Sequence, residues 1–187
     1  MKIFRYVLLL LIGWVLGCGS SPPADPRRQL SNALLERFAT GDTLPSTPET
    51  LEAFFPAAWD GWQVQGEMRF QTAQGPTPFL TADRQYRQSD GWTYLGVSVA
   101  DYAADSTALL RLYQSWPEVS YLRGLPDPRC SLEASVLTQL PATGATRLEF
   151  ICQARYLVSL QTNHPEGERL LVQLLPRLRW EQIMENL

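Results

Sequence analysis

The dipeptide Asp90-Gly91 lies between two stretches of alternating apolar and polar residues. Such a dipeptide favours the tight turns that reverse a strand. A two-residue turn here sets Ser89 opposite Trp92, Tyr86 opposite Leu95 and Ala82 opposite Val99. One face of the hairpin then carries Ala82, Tyr86, Leu95, Val97 and Val99. Turn position and apolar pattern agree independently, so the register is strongly specified. A chain with this hairpin must build an antiparallel sheet and cover its apolar face.

Other segments supply the remaining elements. In 62–70 the even positions are Trp62, Val64, Gly66, Met68 and Phe70, and the odd ones are polar. This alternation predicts a half-buried strand, with Gly66 marking a bulge or close contact. Residues 130–138 and 148–160 again place apolar residues at even positions, from Cys130 to Val136 and from Leu148 to Leu160. They flank the turn at 141–144, so Cys130 and Cys152 face one side near each other. Gln153-Ala154 is an alternative turn that would split the second strand and flip its parity. Tyr121-Leu122-Arg123 is a candidate short strand.

Helical spacing appears at about 27–39, where Leu30, Leu34 and Phe38 recur with Ala33 and Leu35 alongside, and Gly41 follows. Thr47, Pro48 and Glu49 read as a cap, a first-turn proline and a dipole partner for a second helix. Asp105 or Ser106 caps a third, which buries Leu109, Leu110, Leu112 and Tyr113 before Pro117. Leu170, Leu171, Leu174, Leu175 and Leu178 form a last stripe, interrupted by Pro176. A short final helix directs Trp180, Ile183 and Leu187 inward. The expected fold is α+β, one domain over 29–187 with an antiparallel sheet of about five strands and helices packed on it.

Residues 1–17 read as an address. Lys2 and Arg5 precede an apolar run from Val7 to Leu16. That is the layout of a secretory signal, and it is too short for a membrane-spanning helix. The run ends Val15-Leu16-Gly17-Cys18, which resembles the lipobox of bacterial lipoproteins. The resemblance implies a diacylglycerol thioether on Cys18, an acyl group on the new amino terminus, and export to the cell envelope. Gly19 after the cysteine leans toward the periplasmic face of the outer membrane. Residues 18–28 then form a flexible tether, whose ten residues after the cysteine reach about 35 Å at most. The rest of the chain, roughly 55–185, is diffusely similar to uncharacterised bacterial secreted and lipoprotein domains, through Gly61-Trp62, Tyr86, Asp101 and Arg155-Tyr156. That similarity implies a fold and no activity.

Composition removes several function classes. The 187 residues include one histidine, His164, and one lysine, Lys2. A histidine-rich metal site, a lysine Schiff base and a GK[ST] phosphate loop cannot be built from them. The net charge of −3 argues against a nucleic-acid surface. Without 1–17 the side chains carry 14 arginines, no lysine and 19 acids, a charge of −5.

Three groupings could carry chemistry. Cys130 and Cys152 are expected to form a disulfide in an oxidising compartment, against the alternative of two buried thiols. Gly96-Val97-Ser98-Val99-Ala100 imitates a nucleophile elbow, but Ser98 lies within a strand and the sole base is His164 in a loop. Asp101 and Asp105 bracket a strand-to-helix turn, where acids serve as caps and dipole partners more often than as catalysts. No catalytic residue, metal ligand or cofactor is assigned.

The second face of the central hairpin is the candidate binding face. It holds Trp92, Tyr94, Ser98 and Tyr102, with Arg87 opposite Tyr94 and Gln85 opposite Gly96. Such a face could bind a peptide, a glycan or an apolar ligand, unless a helix covers it as a second core layer. Trp59 and Trp62 are read as core. The expected function is a non-enzymatic cell-envelope lipoprotein, held on the membrane through Cys18 and binding a protein or envelope polymer. The alternatives are a carrier of a lipid or small apolar ligand, and a hydrolase using carboxylates.

Overall fold

The computed structural model describes residues 26–40, 44–59, 61–72, 80–116, 120–121, 130–140 and 144–184. The signal segment, Cys18, Gly41, residues 122–129 and Leu187 lie outside them. The fold is α+β. Five helices, α1 Pro26–Thr40, α2 Pro48–Phe54, α3 Ser106–Gln114, α4 Gly167–Leu174 and α5 Trp180–Met184, accompany a single described sheet. Its strands are β1 Trp62–Thr72, β2 Leu80–Gln88, β3 Tyr94–Asp101, β4 Ser120–Tyr121, β5 Cys130–Leu140, β6 Ala145–Cys152 and β7 Tyr156–Thr162. They lie in the order β1-β2-β3-β7-β6-β5-β4, every neighbouring pair antiparallel.

Seven strands replace the expected five or so because one long strand is two and a short one pairs at the edge. Gln153 and Ala154 adopt left-handed backbones, φ 55° and 51°, and reverse the chain between β6 and β7. The parity flip that the alternative turn would bring does not follow. Cys152 pairs with Tyr156, leaving three residues in the loop, so even positions stay on one face. Leu148, Phe150, Cys152, Tyr156, Val158 and Leu160 are all buried in the same cluster. Ser120-Tyr121 pairs with Ala134 and Glu133 as the edge strand β4.

The β2–β3 register is the one read from sequence: Tyr86 faces Leu95 and Ala82 faces Val99. The tip differs. Gln88 N–H donates to the Thr93 carbonyl (2.8 Å), so four residues, 89–92, form the loop. The Asp90 carboxylate accepts from Trp92 N–H (2.8 Å), Thr93 N–H (2.9 Å) and the Thr93 hydroxyl (2.6 Å), which stabilises the wider turn. A four-residue loop has the same centre as a two-residue one, so the register is unchanged.

The larger core lies between one sheet face and α2, α4, α5 and the 3₁₀ turn Leu175–Arg177 that Pro176 introduces. Phe54, Leu171, Leu174 and Trp180 pack there on Tyr86, Val97, Phe150 and Val158. Trp59 stacks on Tyr86 with ring centroids 4.6 Å apart. The Tyr86 hydroxyl donates to the Pro56 carbonyl (2.9 Å). Burial pushes its pKa up to about 12, against the lowering influence of Arg84. Trp59 and Trp62 are core, as read.

A smaller core occupies part of the other face. Helices α1 and α3 bring Leu34, Leu109, Tyr113 and Trp116 onto Ile151 and Ala154. Helix α1 starts at Pro26, inside the segment expected to be tether, because a proline suits the first helical turn. Leu35 is exposed rather than alongside the stripe. In β1 the bulge expected at Gly66 is present: its φ is +67° and the register shifts between Gln65 and Arg69.

Candidate functional site

The part of the second sheet face that the α1–α3 cluster does not cover is polar. Strand pairing arranges it in rows across four strands. Asp83 pairs with Ser98, Ser98 with Ser159, and Ser159 with Glu149. The adjacent row runs Gln85, Gly96, Gln161, Arg147. These side chains, with Tyr94 and Tyr102, line a surface groove of about 410 Å³. Each row spans three strand spacings, about 14 Å. Gly96 lacks a side chain, and a Cβ there would meet only the Gln161 carbonyl at 3.9 Å. It therefore forms a low point in the floor between Tyr94 and Ser98.

The side chains of the second row are wired together. Arg147 donates from Nε (3.3 Å) and Nη2 (3.0 Å) to Gln161 Oε1. Gln161 Nε2 in turn donates to the Tyr94 hydroxyl oxygen (3.0 Å). Arg147 also lies 3.7 Å from Glu149. The chain of contacts crosses β6, β7 and β3, and it holds long polar side chains that would otherwise be mobile. Glu149 is only 16% exposed. Burial raises its pKa above the ordinary carboxylate value, while the Arg147 charge and a Ser159 hydrogen bond oppose the rise. Burial also raises the pKa of Tyr102, with the Asp105 and Glu149 charges adding to it.

No protein-family model matches the chain, no curated protein matches it, and no solved structure matches it.

The structure distributes the expected binding residues unevenly. Tyr94 and Tyr102 line the groove, with Tyr102 beneath the α1–α3 cluster. Arg87 lies across from Tyr94 as expected, but it is exposed and donates to the Gly91 carbonyl (3.0 Å). Trp92 stands at the hairpin tip, 86% exposed. Its backbone is fixed by Asp90 and by Asn163, whose Nδ2 donates to the Trp92 carbonyl (3.0 Å). Asn163 Oδ1 accepts from Tyr94 N–H (2.9 Å), so one side chain ties the tip to the groove. Among the described residues, the helical cover considered from sequence exists only at the Tyr102 end.

The acids near the third helix have structural partners. Asp105 caps α3, accepting from Ala108 N–H (2.8 Å). Asp101 is buried in an ion pair with Arg155. Ser98 is a half-buried strand residue of the groove floor. His164 accepts at Nδ1 from Glu166 N–H (3.0 Å) in the loop before α4. Among the described residues no group of three or more His, Cys, Asp or Glu could hold a metal ion.

Asp83, Arg147, Glu149, Ser159 and Gln161 were not singled out from the sequence. A signal for them existed. The odd positions of 145–161, read as the reverse of the core face, alternate Arg147, Glu149, Ser159 and Gln161 with apolar neighbours. Only the strand order shows that β7 brings them beside β3.

Cys130 lies directly opposite Cys152 in the β5–β6 register. Cys152 is buried and disulfide-bonded.

Proposed function

We propose that this chain is a non-enzymatic cell-envelope lipoprotein, anchored through Cys18, which binds an envelope protein or polymer on the polar sheet face. The lipobox-like Val15-Leu16-Gly17-Cys18 supports the anchor. The observation that carries the binding role is the polar groove, with the exposed Trp92 tied to its Tyr94 through Asn163. A sheet face left in polar rows contributes little to core burial. Exposed aromatic anchors beside ordered polar groups are the composition of recognition surfaces.

In-cell cross-linking of the lipidated protein, followed by mass spectrometry, tests the reading. The expected result is a reproducible protein or polymer partner that is lost when Trp92 and Tyr94 are replaced by alanine. A stoichiometric lipid with no polymeric or protein partner would overturn it in favour of a carrier. Cys18→Ser tests the anchor: the expected product is unprocessed or unanchored, and a lipid-associated product of mature size would remove that part.

A further inference from the structure

We infer that the polar groove and Trp92 together form a subsite for a neutral glycan chain. This rests on the proposed binding role of the face and names its ligand class. Three features of the groove point to that class.

The first is charge balance. Arg84 and Arg147 line the groove together with Asp83 and Glu149, two charges of each sign. An anionic polymer or lipid headgroup would meet two carboxylates, and a cationic peptide would meet two guanidinium groups. Like charges brought together at a binding face disfavour the complex. A neutral ligand meets neither penalty.

The second is the hydrogen-bonding repertoire. The floor offers carboxylate acceptors, guanidinium donors, side-chain amides and hydroxyls along rows about 14 Å long. A sugar hydroxyl donates and accepts at one oxygen, so it suits a lining that supplies both partners. The Arg147–Gln161–Tyr94 chain presents these groups already ordered, which lowers the entropic cost of binding.

The third is the platform. A sugar ring has an apolar face of C–H bonds, and an exposed indole beside hydrogen-bonding groups complements such an amphipathic ring. The Trp92 indole is bare, while its backbone is clamped by Asp90 and Asn163. Asn163 joins Trp92 to the groove, donating to the Trp92 carbonyl and accepting from the Tyr94 N–H. The ligand would run from Trp92 over Tyr94 toward the low point at Gly96.

The test uses the full chain in detergent, titrated with chitohexaose and with cellohexaose by calorimetry and tryptophan fluorescence. The expected result is saturable binding of at least one, accompanied by a change in tryptophan emission. Trp92→Ala and Gln161→Leu should each weaken it about tenfold or more, with the unfolding midpoint of Trp92→Ala unchanged. Binding that is indifferent to Trp92→Ala overturns the subsite. No binding of either sugar, with a cross-linked protein partner still lost on Trp92→Ala, overturns the glycan and leaves the binding face. No sugar binding and no partner dependent on Trp92 overturns both.

Discussion

Arg155 grips both carboxylate oxygens of Asp101, Nε to Oδ1 and Nη2 to Oδ2 at 2.7 Å each. Asp101 is 0% and Arg155 4% exposed. The pair joins the end of β3 to the β6–β7 turn. It also binds the segment leading into α2: Ser46 N–H donates to Asp101, and Arg155 donates to the Leu44 carbonyl (3.0 Å). Ala103 N–H donates to Asp101 Oδ1 (2.9 Å), and the guanidinium lies 4.9 Å from the Tyr156 ring centre. Three segments far apart in sequence thus share one saturated buried network.

Breaking the pair from one side leaves a buried charge without its partner. Arg155→Met is expected to destabilise by about 3–5 kcal/mol in urea unfolding. The double variant Asp101→Leu/Arg155→Met should lose clearly less than the sum of the single variants. Additive losses would show that the two residues act independently.

The same carboxylate gives an acid limb. Burial raises its pKa, but the Arg155 hydrogen bonds and charge, with the Ser46 N–H, outweigh burial and leave it below the usual value. The folded form therefore binds fewer protons than the unfolded form in acid. The contribution is fully present above about pH 4 and is lost as pH falls through the lower folded pKa. Asp101→Asn should be less stable at neutral pH and should show a shallower loss below about pH 4. An unchanged acid slope in equilibrium unfolding would contradict this.

Glu149 behaves oppositely. Its folded pKa is raised, chiefly by burial. The folded form then holds its proton longer, so stability is highest below the unfolded pKa, about 4.3, and falls as pH rises through the folded pKa. Glu149→Gln is expected to be more stable than the parent chain at pH 7, with the difference vanishing below about pH 4.

Gly167 opens α4 against β6. A Cβ there would sit 2.5 Å from Thr146 Oγ1 and 2.6 Å from Thr146 Cβ. Gly167→Ala should cost about 1–3 kcal/mol through overpacking. Thr146→Gly in the same chain should recover part of that, which thermal unfolding of the four variants would measure.

Cys130 is the proposed partner of the Cys152 disulfide. A denatured, unreduced sample of the Cys18→Ser chain should show no free thiol, and two after reduction. Removing the bridge by Cys130→Ala/Cys152→Ala should cost about 3 kcal/mol, from a loop of some twenty residues. Two free thiols before reduction would end the assignment.

Much of the architecture was local and therefore legible in the chain. Asp90-Gly91 set the β2–β3 register, Thr47 and Asp105 announced helix caps, and Pro176 announced the break after α4. Alternation and capping depend on neighbours a few residues away, so sequence alone determined them. Strand order depends on which apolar faces meet, and that only the tertiary structure decided. It placed β7 beside β3, and so assembled Asp83, Ser98, Ser159 and Glu149 into one row. Parity beyond Cys152 was likewise open, because it turned on whether two or three residues formed the loop. The Asp101–Arg155 pair spans 54 positions, and no periodic pattern links them. Each stands out only within its own segment, and the two become partners when the fold buries both.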